Sequence, residues 1–140
     1  MNKLRTIIAF IICLSASPSI SAQESKSAET VINKVEVFYF HYTRRCMTCN
    51  RVESETKKSL ESLYPEKMKA GEVVFKSVNL DAADSKIDSD RAKAEGQSLL
   101  VVAGQSRTDL TNTAFMNATT RPEKLKAELQ KTINPLLKIK

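Results

Sequence analysis

The chain has 140 residues, 41% hydrophobic and 27% charged, with a formal net charge of +6, three cysteines, one histidine and no tryptophan. One domain of ordinary size fits that length, and with only two cysteines beyond residue 22 a small fold stapled by several disulfides is excluded. The charge falls to +4 once Lys3 and Arg5 are set aside, and the excess is spread along the chain without aromatic interleaving, which argues against a nucleic-acid surface.

Residues 1–22 read as a secretory signal peptide. Lys3 and Arg5 give a cationic start, Thr6 to Leu14 is almost wholly apolar, and Ser15 to Ala22 is small and broken by Pro18. The apolar run is short for a membrane span. The expectation is a periplasmic or secreted protein with no stable membrane span after cleavage, an uncleaved N-terminal anchor being the alternative. Residues 23–34 are polar and Ser-rich, a tether or short helix.

Val35 to Tyr42 is dense in Val, Phe and Tyr without clean alternation, as expected of a strand buried on both faces. The period then changes: Val52, Thr56, Leu60, Leu63 and Tyr64 fall on one helical stripe, with Glu53 and Lys57 on the wet side. Thr43 or Arg44 is expected to cap this helix and Pro65 to end it. A second strand follows at Glu72 to Leu80. A weak polar helix, Asp81 to Glu95, is ended by Gly96, with Ala83, Ile87 and Ala94 as its inward residues. Leu99 to Ala103 is a third strand, and Arg107 to Thr113 alternates enough to be its hairpin partner at an edge. The last helix opens on a capping box, Thr120 with Glu123, carries Pro122 in its first turn and buries Leu125, Leu129 and Ile133. Pro135 should kink or end it, leaving residues 138–140 as a basic tail. The order strand–helix–strand–helix–strand–strand–helix over residues 35–137 predicts an α/β domain, a mixed four-stranded sheet with helices on both faces.

The chemistry-bearing feature is Arg45-Cys46-Met47-Thr48-Cys49, set where the first strand gives way to the first helix. Two thiols three positions apart at a helix start come within bonding distance. The first lies where unpaired backbone N–H groups and the helix dipole favour negative charge, which lowers a thiol's pKa. Arg44 and Arg45 would add to that effect, and His41 is the one histidine available nearby.

A Cys-x-x-Cys pair heading the first helix of this element order resembles the thioredoxin-like superfamily. The resemblance covers about residues 35 to 137 and implies an exported thiol–disulfide oxidoreductase that needs no cofactor. Cys46 matches the family's exposed attacking thiolate and Cys49 the resolving thiol. Its partners would be protein thiols or disulfides and a redox partner, with the chain itself a monomer or, through the edge strand, a weak dimer. The chain departs from the family pattern at four places. Arg45 replaces an aromatic residue and Met47-Thr48 replaces Gly-Pro, a change that affects how oxidising the pair is. Phe40 stands where many relatives bury an acidic residue. The loop before the third strand carries Ser98 where relatives have a cis-proline.

Two other readings remain open from sequence. One is a soft-metal module in which Cys46 and Cys49, with Met47 or His41, hold Cu(I); no second Cys/His pair completes a zinc site. The other is a noncatalytic domain with a locked disulfide.

Overall fold

The computed structural model describes residues 34–139, so the segment expected to be a signal peptide, and nearly all of the expected tether, lie outside the described residues. Strand β1 (Val35–His41) is the centre of the molecule, buried along its whole length. It pairs parallel with β2 (Val73–Asn79), Val35 opposite Val73 and His41 opposite Asn79. On its other side it pairs antiparallel with β3 (Ser98–Ala103), Glu36 opposite Val102 and Phe40 opposite Ser98. The short β4 (Ser106–Asp109) pairs antiparallel with β3, giving the sheet order β2-β1-β3-β4.

Five helices complete the described residues: α1 (Met47–Leu63), α2 (Pro65–Lys69), α3 (Ser85–Ala92), α4 (Thr111–Asn117) and α5 (Pro122–Leu136). The expected order strand–helix–strand–helix–strand–strand–helix is present, with α2 and α4 added, and is compatible with a thioredoxin-like α/β arrangement.

Side chains alternate across a strand, and β1 uses both sides. Val35, Val37 and Tyr39 join Leu99 and Val101 in the larger core beneath α1, α4 and α5, where Val52, Leu60, Ala114, Leu125, Leu129 and Ile133 meet them. Phe38 and Phe40 join Leu100 and Ala92 on the opposite face under α3. Burying an aliphatic or aromatic side chain of this size contributes about 1.5–3 kcal/mol, so the larger cluster dominates stability.

Several local expectations differ from the structure. Pro65 ends α1 but also opens α2, because proline's fixed φ suits a first helical turn. The stretch expected as a strand to Thr113 stops at Asp109. Leu110, Ala114 and Ala118 recur at helical spacing and are all buried, and this outweighs the alternation of Thr108, Leu110 and Asn112. The Thr120 capping box is not made: Arg121 is the N-cap, and the Thr120 hydroxyl donates to the Met116 carbonyl at 3.4 Å. Pro135 sits inside α5, one residue before its end. Helix α3 stops at Lys93, which takes a left-handed φ of 52°, three residues short of Gly96. Its Ile87 points outward, and Ala92 is the residue it buries.

Candidate functional site

The five residues after β1 turn the chain from the sheet into α1. Their path is fixed from the β2 side. The Thr43 amide donates to the Asp81 carboxylate at 2.7 Å, and the Asn79 side-chain amide donates to the Thr43 hydroxyl at 3.0 Å. The Thr43 backbone amide and, after it, the Thr43 hydroxyl hold the Asp81 carboxyl below its usual range.

Neither Thr43 nor Arg44 caps the helix. Cys46 does: its backbone is extended (φ −77°, ψ 166°), Met47 is the first helical residue, and the Cys46 sulfur accepts from the Cys49 amide at 3.1 Å. A side-chain acceptor satisfying an orphan amide of the first turn is the ordinary N-cap role, taken here by sulfur. Cys46 and Cys49 are joined as a disulfide across one helical turn, their Cα atoms 5.1 Å apart. Cys46 is exposed and Cys49 is buried, with 6% of its surface accessible. Reagents in solvent therefore reach the first sulfur before the second. Met47 is 86% exposed beside them, and Tyr42 stands at the rim, 45% exposed.

Beneath Cys49 lies a polar layer that sequence reasoning missed. The Tyr39 hydroxyl, fully buried, donates to the Cys49 carbonyl at 2.9 Å and accepts from the Gln97 amide at 3.2 Å. Burial raises the Tyr39 pKa, outweighing the Gln97 bond and the charge of Arg45, and the hydroxyl stays protonated to donate. Glu53, one turn after Cys49, pairs with the Arg45 guanidinium. Burial alone would raise the Glu53 pKa, but the Ser77 hydroxyl and the Arg45 guanidinium, with a smaller effect from the nearby His41 ring, hold it below the usual range. The spacing carried a signal for this pair: Glu53 follows Cys49 by four residues, which places it on the cysteine side of α1 rather than on the wet side.

The other expected residues fall as follows. His41 is buried and its Nδ1 lies 3.0 Å from the Tyr42 carbonyl. Its ring stands 5.7 Å from that of Tyr39, on the cysteine face of the sheet. Arg44 is exposed and makes none of the ion pairs among the described residues. Arg45 is turned onto Glu53. Phe40 faces the opposite core, so no side chain at that position reaches the cysteines. Ser98 is buried at the start of β3, its hydroxyl donating to the Gly96 carbonyl at 2.9 Å, and every peptide bond among the described residues is trans.

The loop holding Ser98 borders the site through Gln97 and through Gly96, whose φ of 155° disfavours any side chain and whose Cα faces the Tyr42 hydroxyl. From that loop an open groove of about 590 Å³ runs between Ser98, Arg107, Asp109 and Thr111. Among the described residues no group of three or more His, Cys, Asp or Glu side chains converges as metal ligands, and no helix is long and apolar enough to cross a membrane.

No family model matches the chain, and no curated protein matches it. A solved structure described as "Structure of a malarial protein" is similar at 19% identity, over 71% of this chain and 97% of that chain, with a TM-score of 0.43.

Proposed function

We propose that the chain is an exported thiol–disulfide oxidoreductase of the thioredoxin-like superfamily, with Cys46 as nucleophile and Cys49 as resolving thiol. One observation carries this reading: an exposed sulfur at a helix N-cap is bonded to a buried sulfur one turn further on. In the reduced chain, the Cys46 thiolate attacks one sulfur of a partner disulfide. A mixed disulfide forms, and the partner's other sulfur leaves as a thiolate. Cys49 then loses its proton to solvent and attacks Cys46 Sγ, which releases the second partner thiolate. Two electrons pass from the cysteine pair to the partner, and the internal disulfide re-forms. Run backwards, the same steps oxidise a partner dithiol.

The first turn of α1 favours the attacking anion through its unpaired amides. The apolar Met47 and Tyr42 beside it suit contact with a partner chain, and the groove along Ser98 suits an extended one. A soft-metal reading has less support, because Nδ1 of His41 is engaged with the Tyr42 carbonyl and Met47 stands out in solvent.

The test is dithiothreitol-driven reduction of insulin disulfides by the full chain and by Cys46→Ser, with folding followed by circular dichroism. The expected outcome is activity in the wild type and background rates in a folded variant. Equal rates in both proteins would remove the redox assignment.

A further inference from the structure

From sequence alone Arg45 is a cation next to Cys46 that should favour its thiolate. In the folded chain that guanidinium is committed elsewhere. It lies against the Glu53 carboxylate, across the start of α1, and both side chains are about three-quarters covered, each 27% exposed. Both charges act on the Tyr39 hydroxyl, which bonds the Cys49 carbonyl, and Glu53 follows Cys49 by one turn of α1. Other charged or titratable groups near the couple are Arg44 in the loop, His41 and Tyr39 on β1, and Asp81 beyond β2. Asp81 is engaged by Thr43 and Tyr39 by Cys49 and Gln97. Arg45 is thus the cation adjoining Cys46 whose charge is spoken for, and Glu53 is what holds it.

We propose that Glu53 is a positioning residue for the redox couple: by holding the Arg45 guanidinium against α1 it withholds that charge from the Cys46 sulfur and keeps the pair more reducing than its two flanking arginines would make it. This rests on the thiol–disulfide reading above. The sign follows from which state carries the charge. A free cation near Cys46 stabilises the thiolate, which exists only in the reduced form, so releasing Arg45 favours the dithiol and makes the disulfide a stronger oxidant. The effect belongs to a charge moved by several ångströms in a partly solvated site, and is modest.

The experiment is equilibrium of the full chain with glutathione at fixed pH. Here the Cys46–Cys49 disulfide and two glutathiones give the dithiol and glutathione disulfide, with two electrons and two protons transferred. The readout is the fraction reduced, with the iodoacetamide reaction rate of Cys46 as a second measure. Glu53→Gln is expected to shift the equilibrium about threefold toward the dithiol, or ~14 mV for a two-electron couple, and to speed alkylation. Glu53→Ala serves as a second variant, with folding checked by circular dichroism. In an Arg45→Gln background the same Glu53 change should have a clearly smaller effect. The proposal is overturned if Glu53→Gln leaves the equilibrium at the wild-type value, even with altered stability, or if its shift is equally large without Arg45. Glutathione equilibrium needs no protein partner. A wild-type couple that equilibrates yet fails to reduce insulin removes the functional reading alone, whereas unmoved Glu53 variants of an active protein remove this inference alone. A disulfide inert to glutathione removes both.

Discussion

On the face covered by α1, α4 and α5, Val35, Val37, Tyr39, Leu99 and Val101 meet three helices through an apolar cluster that includes Leu60, Leu125, Leu129 and Ile133. On the other face Phe38, Phe40 and Leu100 are covered by one helix, the eight-residue α3, whose single buried residue is Ala92, with Val78, Leu80, Ala94 and Val102 partly buried around them. Charge replaces apolar contact there. Glu36, 7% exposed, accepts from Arg91 at 2.7 Å and from Lys34 at 3.1 Å, while Asp88 accepts from Arg91 at 2.8 Å and Lys76 at 3.1 Å. Lys76 and Arg91 also stand over the Phe38 ring, 5.4 and 5.1 Å from its centroid. The contrast teaches that one strand can serve two regimes, a close-packed core that carries stability and a polar clasp that merely keeps a ring dry. The Cys46–Cys49 disulfide belongs to the first regime, mounted on the better-anchored helix.

That contrast can be broken by substitution. Leu129→Ala removes a fully buried side chain where α5 packs on the sheet, and is expected to cost about 2–5 kcal/mol in urea unfolding. A cost near zero would mean the large core does not carry the fold. Glu36→Gln should cost less, about 1–2 kcal/mol, because its partners Arg91 and Lys34 remain nearly half exposed and rehydrate once freed. Amide exchange sharpens the same point: α3 should open well below the global unfolding energy, and α1 and α5 only with it.

Acid should act on the clasp as well. Burial would raise the Asp88 pKa, but the bonds and charges of Lys76 and Arg91 outweigh it and hold the carboxyl below its ordinary 3.8. A carboxyl lowered by folding adds stability above its unfolded value, and that gain disappears as pH falls through the lower folded value. Asp88 is about a quarter exposed and its partners Lys76 and Arg91 more so, so the contribution is small and screened by salt. Asp88→Asn should flatten the stability curve below about pH 4, which acid titration at low ionic strength would reveal. Smallest of all, Ile87→Ser on the outer side of α3, 77% exposed, should change stability by less than about 0.5 kcal/mol.

Much of this was legible in the sequence. The burial of β1 on both faces, the α1 stripe and the position of Cys46 and Cys49 follow from hydrophobic period and residue spacing, because these elements are long and their patterns uncontested. The α4 segment is ambiguous in sequence, since Leu110 satisfies a strand pattern and a helical one at once, and only packing against α1 and α5 decides. The charge of Glu53 points to solvent. Its spacing from Cys49 pointed inward, but its partner Arg45 comes from a loop whose path depends on Asp81 and Asn79, some thirty-five residues away. The polar layer of Tyr39 and Gln97 was hidden for the same reason, both partners being far apart in the chain.

The outer strand β4 has a consequence for behaviour at high concentration. It is four residues long, Ser106-Arg107-Thr108-Asp109, and Arg107 bends back to the Ala92 carbonyl at 3.0 Å. A border so brief, hydrophilic and tethered offers a poor template to a foreign β-segment, so the folded chain resists intermolecular ladder growth and fibril seeding along that side.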